Sequence, residues 1–124
     1  MRKIIFRGKT FDGFWVRGDL VRTNPCECHI VTADLDDYNN IVFNFEYFVD
    51  CKTVGQFTGL LDKNRRGIYE GDVLMIYGDN IVKVIFVDGC FYVENDIVYA
   101  PAYHYEKDAC EVIGNIYDNP ELLG

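Results

Sequence analysis

The stretch "GQFTGLLDKNRRGIYEGDVLMI", residues 55–76, sets four glycines among short apolar segments. Its reading decides between a catalytic loop and a folded sheet. Asp62 to Gly67 is polar, ends on glycine and is flanked by Leu60-Leu61 and Ile68-Tyr69, the pattern of a hairpin with about four or five loop residues. Gly71-Asp72 is a second bend, and Val73 to Tyr77 leaves it as an apolar strand. Gly55, Gly59, Gly67 and Gly71 match neither G-x-G-x-x-G nor G-x-x-x-x-G-K-[ST], and no long helix follows to hold an anion at its N-terminus. The stretch therefore reads as sheet.

Downstream, turns at Gly78-Asp79-Asn80, Asp88-Gly89 and Glu94-Asn95-Asp96 separate strands over Ile81–Val87 and Cys90–Val93. Strands this short favour closure into a small barrel that protects the edges. Tyr99 to Tyr105 is aromatic and interrupted by Pro101, which places it at an edge or in a loop. Glu111–Tyr117 is a last strand, and Asp118 to Leu123 has the cap, proline and acid of a single helical turn. Upstream, Lys3–Arg7 and Phe14–Arg22 form a hairpin about the turn Thr10 to Gly13. "TNPCECH" breaks the pattern at Asn24-Pro25, a short strand covers Cys28–Thr32, and "ADLDDYNN" is a loop. In Ile41–Val49 the residues Ile41, Phe43, Phe45, Tyr47 and Val49 alternate, which predicts one buried face.

The 124 residues are 49% hydrophobic and 15% aromatic, too apolar for a disordered tail and suited to strands. The division expected is an N-terminal β module over 1–54 and a C-terminal small barrel over 55–124. The opening MRKIIFRGKTF has only three consecutive apolar residues before Arg7, too few for a secretory signal. No later run approaches the roughly 20 apolar residues of a membrane helix. A cytoplasmic protein with reduced thiols is expected, since the five cysteines are odd in number and irregularly spaced.

Charge restricts the partners. The net charge of −8 is the wrong sign for direct binding to nucleic acid. It is also uneven: within residues 1–22 six basic side chains oppose Asp12 and Asp19, giving +4, so the other residues carry −12. The N-terminal segment is then expected to pack on its own acidic remainder or to dock on a neighbouring subunit.

"TVGQFTGLLDKNRRGIYEGDVL", Thr53–Leu74, resembles the hallmark segment of the YopX family, and "EVIGNIYDNPELL", Glu111–Leu123, resembles that family's closing motif. "RKIIFRG" at the start is similar as well. The resemblance implies a β-rich protein of bacteriophages and prophages of Gram-positive bacteria, with an SH3-like barrel in its C-terminal part. It implies no activity, cofactor or catalytic residue.

Asp62, Glu70 and Asp72 could serve a small enzyme, but general acid–base work needs two carboxyls in a cleft with separated pKa values. Turn capping by Asp62 and Asp72 is the expected role. Cys26, Cys28 and His29 lack the paired spacing of a structural zinc site, so no metal is expected. Counting an EF-hand from Asp34 puts Asn39 at the glycine position and Phe45 at the bidentate acid, and the pattern fails. The chain contains no serine, which removes serine-nucleophile hydrolysis. Cys90 or Cys110 with His104 is a formal Cys-His pair, though free cysteines generally behave as small buried hydrophobes. The remaining candidate is an aromatic group, Tyr92, Tyr99, Tyr103 and Tyr105 with Phe91 and Pro101. Tyr103 and Tyr105 are expected on one strand face, either filling the barrel or gripping a partner.

The functional expectation is a non-enzymatic phage accessory protein that binds a protein partner or its own copies, without cofactor. An acidic decoy for a host nucleic-acid-binding protein and a small carboxylate enzyme are the alternatives.

Overall fold

The computed structural model describes residues 3–23 and 26–124, so the break expected at Asn24-Pro25 lies outside the described residues. The chain divides into two compact units, residues 1–56 and 57–124. Both are built from antiparallel strands, and the described residues contain no α-helix. No helix among them is long and apolar enough to cross a membrane.

The first unit holds β1 (Phe6–Thr10), β2 (Trp15–Thr23), β3 (Glu27–Leu35) and most of β4 (Ile41–Leu61). β1 pairs with both β2 and β4, and β3 joins β2 to β4, so four strands come close to a ring. Cys28, Ile30 and Val49 are its buried centre, with Phe6, Val16, Leu20, Cys51 and Val54 packed against them. The ring is tight: a Cβ on Gly8 would come within 2.8 Å of a Val49 methyl. The β1–β2 turn follows expectation, with Gly13 at φ 94° and its N–H donating to the Thr10 carbonyl at 2.9 Å. β1 itself lies further along than Lys3–Arg7, because its ladders to β2 and β4, not local pattern, set its ends.

Two further expectations fail in this unit. β3 runs on to Leu35, so only Asp36–Asn40 of "ADLDDYNN" is turn, held by Asp36 Oδ1 accepting from the amides of Tyr38 and Asn40. Nor does Ile41–Phe48 bury one face; every residue from 41 to 48 is exposed, and burial begins at Val49. Thr32 pairs with Phe45 but Ala33 pairs with Phe43, so Asn44 is an extra residue. Such a bulge reverses the alternation. Phe45 and Tyr47 stay on the Val49 side while Ile41 and Phe43 move to the opposite face.

In the second unit the end of β4 pairs with β5 (Gly67–Tyr69). The remaining strands, β6 (Asp72–Ile76), β7 (Asn80–Val87), β8 (Cys90–Glu94), β9 (Tyr99–Pro101) and β10 (Cys110–Asn115), form a sheet in the order β10-β6-β7-β8-β9. The meander matches the expected turns; Asp88 and Gly89 both have positive φ, as a two-residue hairpin requires. Alternate residues Val82, Val84, Phe91 and Val93 point inward with Leu74, Ile76 and Val112. Single 3₁₀ turns cover Ala102–His104, Lys107–Ala109 and Pro120–Leu123, the last with the expected proline. Among the described residues no ladder joins β9 to β10. β9 is three residues long and Pro101 offers it no N–H, so it remains an edge. The nearly closed ring is instead in the N-terminal unit.

Candidate functional site

The tyrosine group lies around the β8–β9 edge. Since Phe91 and Val93 face the core, the two-residue period turns Tyr92 outward. The ladder places Tyr92 opposite Pro101 and Glu94 opposite Tyr99. The Tyr92 and Tyr99 rings stack with centroids 4.8 Å apart and planes 12° apart. Tyr99 and Tyr103 are 60% and 75% exposed. Partial burial, then the neighbouring Cys90, Tyr99, Tyr103 and Asp88, push the Tyr92 phenol above its usual pKa. The hydroxyl stays protonated at neutral pH and remains a donor.

Tyr105 departs from this group. The 3₁₀ turn at Ala102–His104 interrupts the alternation that would have put Tyr103 and Tyr105 on one strand face. Tyr103 stays outside, while Tyr105 packs on the core and contacts the rings of Tyr77 and His104. With Leu60, Ile68, Leu74, Ala102 and Cys110 it lines a shallow apolar depression of about 220 Å³.

The carboxylates are structural in their contacts. Asp62 is fully buried; its Oδ1 accepts from the amides of Asn64 and Arg66, both at 2.8 Å, and its Oδ2 accepts from the Val112 amide at 2.9 Å. Burial pushes its carboxyl up, but the three backbone donors and the Arg66 charge outweigh that and hold it below the usual range. One side chain thus closes the 62–67 turn and ties it to β10. Asp72, also buried, accepts from the Tyr69 amide at 2.7 Å across the Gly71 bend. Glu70 is half-buried.

The sulfur and imidazole groups do not converge. Cys28 is inside the ring and the neighbouring His29 points to the outer face, where Glu46 and Glu27 approach its Nδ1 and Nε2 at 3.4 and 3.9 Å. Cys26 is exposed, with its carbonyl accepting from the Cys51 thiol at 3.1 Å. Among the described residues no cluster of His, Cys, Asp and Glu is arranged for a metal. Cys90 is exposed, His104 is exposed, and Cys110 is in the core, where burial and then Asp62 raise its thiol pKa. A raised thiol pKa works against a thiolate nucleophile.

Sequence reasoning missed the β3–β4 ribbon. Ile41, Val42, Phe43, Phe45, Tyr47 and Phe48 are between 41% and 68% exposed. The signal was present: apolar residues occupy both odd and even positions there, which an alternating strand with one wet face does not need.

The family model described as YopX protein matches residues 6–124. No curated protein matches the sequence. A solved structure, the crystal structure of protein EF1440 from Enterococcus faecalis, superposes over 100% of both chains with a TM-score of 0.67 at 23% identity, a likeness of fold. With nearly its whole length matched, the chain belongs to the YopX protein family.

Proposed function

We propose that this is a non-enzymatic accessory protein of a bacteriophage or prophage, working in the host cytoplasm, that binds a protein partner through the tyrosine surface of its C-terminal unit. The observation that carries this reading is the Tyr92–Tyr99 stack beside Pro101 with Tyr103 exposed next to it. Flat aromatic faces around a proline suit an apolar or proline-rich segment, and tyrosines supply area at low entropy cost. The C-terminal unit is read as a partly open SH3-like barrel. Supporting this are the β6–β7–β8 meander, the 3₁₀ turns after β9, and the return of β10 beside β6. A structural role for Asp62, whose oxygens accept three backbone bonds, favours binding over carboxylate catalysis.

The test is capture from a bacterial host lysate with nuclease present, comparing the tagged chain with a Tyr99→Ala/Tyr103→Ala variant. A specific protein retained by the first and lost by the second, at unchanged melting temperature, is expected. Equal retention by both overturns the tyrosine surface. The acidic-decoy alternative, motivated by the −12 carried outside residues 1–22, requires instead a complex that weakens steeply with salt and ignores the tyrosine changes.

A further inference from the structure

We propose that the acidic, apolar ribbon of β3 and β4 docks on the basic β1–β2 hairpin of a second copy of this chain, the two copies exchanging equivalent contacts about a two-fold axis.

The ribbon needs a cover. β2 pairs with β3 only as far as Val31, and β1 meets β4 only from Val49 onward. Residues 32–35 and 41–45 therefore pair with each other alone, open on both edges among the described residues, while Glu46–Phe48 pair with His29–Val31 and are open on the β4 edge only. Ile41, Phe43 and Phe48 lie on the outer face; Val42, Phe45 and Tyr47 on the other. A two-stranded ribbon without a core is marginal in water, and an exposed apolar patch of this kind marks an interface.

Charge identifies what covers it. Residues 26–51 hold Glu27, Asp34, Asp36, Asp37, Glu46 and Asp50 and not one Lys or Arg. The β1–β2 hairpin of the same unit, residues 6–23, holds Arg7, Lys9, Arg17 and Arg22 against Asp12 and Asp19, a net +2, and presents exposed Phe11 and Phe14 at its tip. Both halves belong to one surface. Arg17 and Val21 share the outer face of β2, Val21 lies opposite His29, and a groove of about 210 Å³ runs between Val21, Val31, Phe43 and Glu46. The ring of Phe11 is 5.3 Å from that of Phe48, so the apolar tip of the hairpin adjoins the ribbon's base. A patch with an acidic apolar half next to a basic apolar half is self-complementary under a two-fold rotation. A second copy supplies both complements at once, and opposite fields steer the encounter.

Light scattering and sedimentation of the full chain test this directly. The expected mass is twice 14.3 kDa, falling toward 14.3 kDa on dilution and with added salt. Asp37→Lys/Glu46→Lys and Arg17→Glu should each lower association at least tenfold while keeping the wild-type circular dichroism. An equimolar mixture of the two should restore it, because both contacts then join opposite charges. Phe43→Asp, which alters no existing charge, should weaken association independently. A single-chain mass at every concentration overturns the proposal, as does a mixture that fails to recover association from two folded variants. A fixed mass above two chains overturns the two-fold arrangement.

Discussion

The ribbon at Ile41–Phe48 and the turn at Asp62–Gly67 are served by one strand and invert the usual partition in opposite directions. In the first, six large apolar side chains face water; in the second, a carboxylate is fully buried. The buried charge is satisfied within the chain, by three amides whose N–H groups would otherwise go unmet. The exposed apolar ribbon meets no comparable covering within its own unit. The contrast separates what holds the second unit together from what the first offers to others.

The largest effect belongs to the buried acid. Asp62→Ala strands three backbone donors, two in the turn and one on β10, and should destabilise the second unit by about 3–4 kcal/mol in urea titrations followed by circular dichroism. Asp62→Asn keeps one oxygen for the turn but sets a donor against the Val112 amide, so about half of that loss is expected. A loss below about 1 kcal/mol for the alanine variant would mean that water replaces the carboxylate, and that the buried acid is no knot at all.

Next comes the ring. An added Cβ at Gly18 would overlap the Val31 carbonyl oxygen, which is backbone and cannot rotate away, whereas at Gly8 it meets the Val49 side chain, a methyl at 2.8 Å and Cβ at 3.0 Å. Gly18→Ala should cost about 3 kcal/mol and Gly8→Ala about 1–2 kcal/mol, within or just above the usual overpacking range. Trp15, the sole tryptophan, lies in β2 and reports on this unit by fluorescence. If the order of the two glycines were reversed, the inward packing of Gly8 on Val49 would be wrong.

A smaller effect is titratable. Asp62 has a lower pKa in the folded chain than the ordinary carboxylate value of about 4. Its contribution is therefore complete above pH ~4 and is lost as pH falls through the folded-state value. The urea midpoint of the second unit should drop through that acid window, and Asp62→Asn should flatten the drop. An equal acid slope in the variant would assign it to other carboxylates.

These positions also show what the sequence could and could not tell. Turn chemistry is local, so Gly13, Asp88-Gly89 and the 62–67 loop were legible, as was the edge character that Pro101 gives β9. Ring closure by β1 against β4 joins residues 39 to 50 apart and leaves no local mark. The bulge at Asn44 was equally hidden, because a register shift depends on the partner strand and not on the alternation of its own. The tyrosine group was legible as a group, since β8 alternates cleanly, but the 3₁₀ turn after Pro101 divided it and sent Tyr105 inward.

The smallest expected effect sharpens the comparison most. Phe43→Ser removes a large apolar side chain that is 64% exposed. In the dissociated chain it should change stability by less than about 0.5 kcal/mol, as surface substitutions do. For comparison, Val49→Ala, a few residues along the same strand and buried in the ring, should cost about 2 kcal/mol. Association adds a second dependence: anything that binds only the folded chain stabilises it by mass action. The wild-type urea midpoint should therefore rise with protein concentration while that of Phe43→Ser stays nearly flat, so the gap between them opens on concentrating the samples. A gap that is large at every concentration would mean the ribbon packs within its own chain, and a gap absent throughout would mean that Phe43 contributes nothing to either.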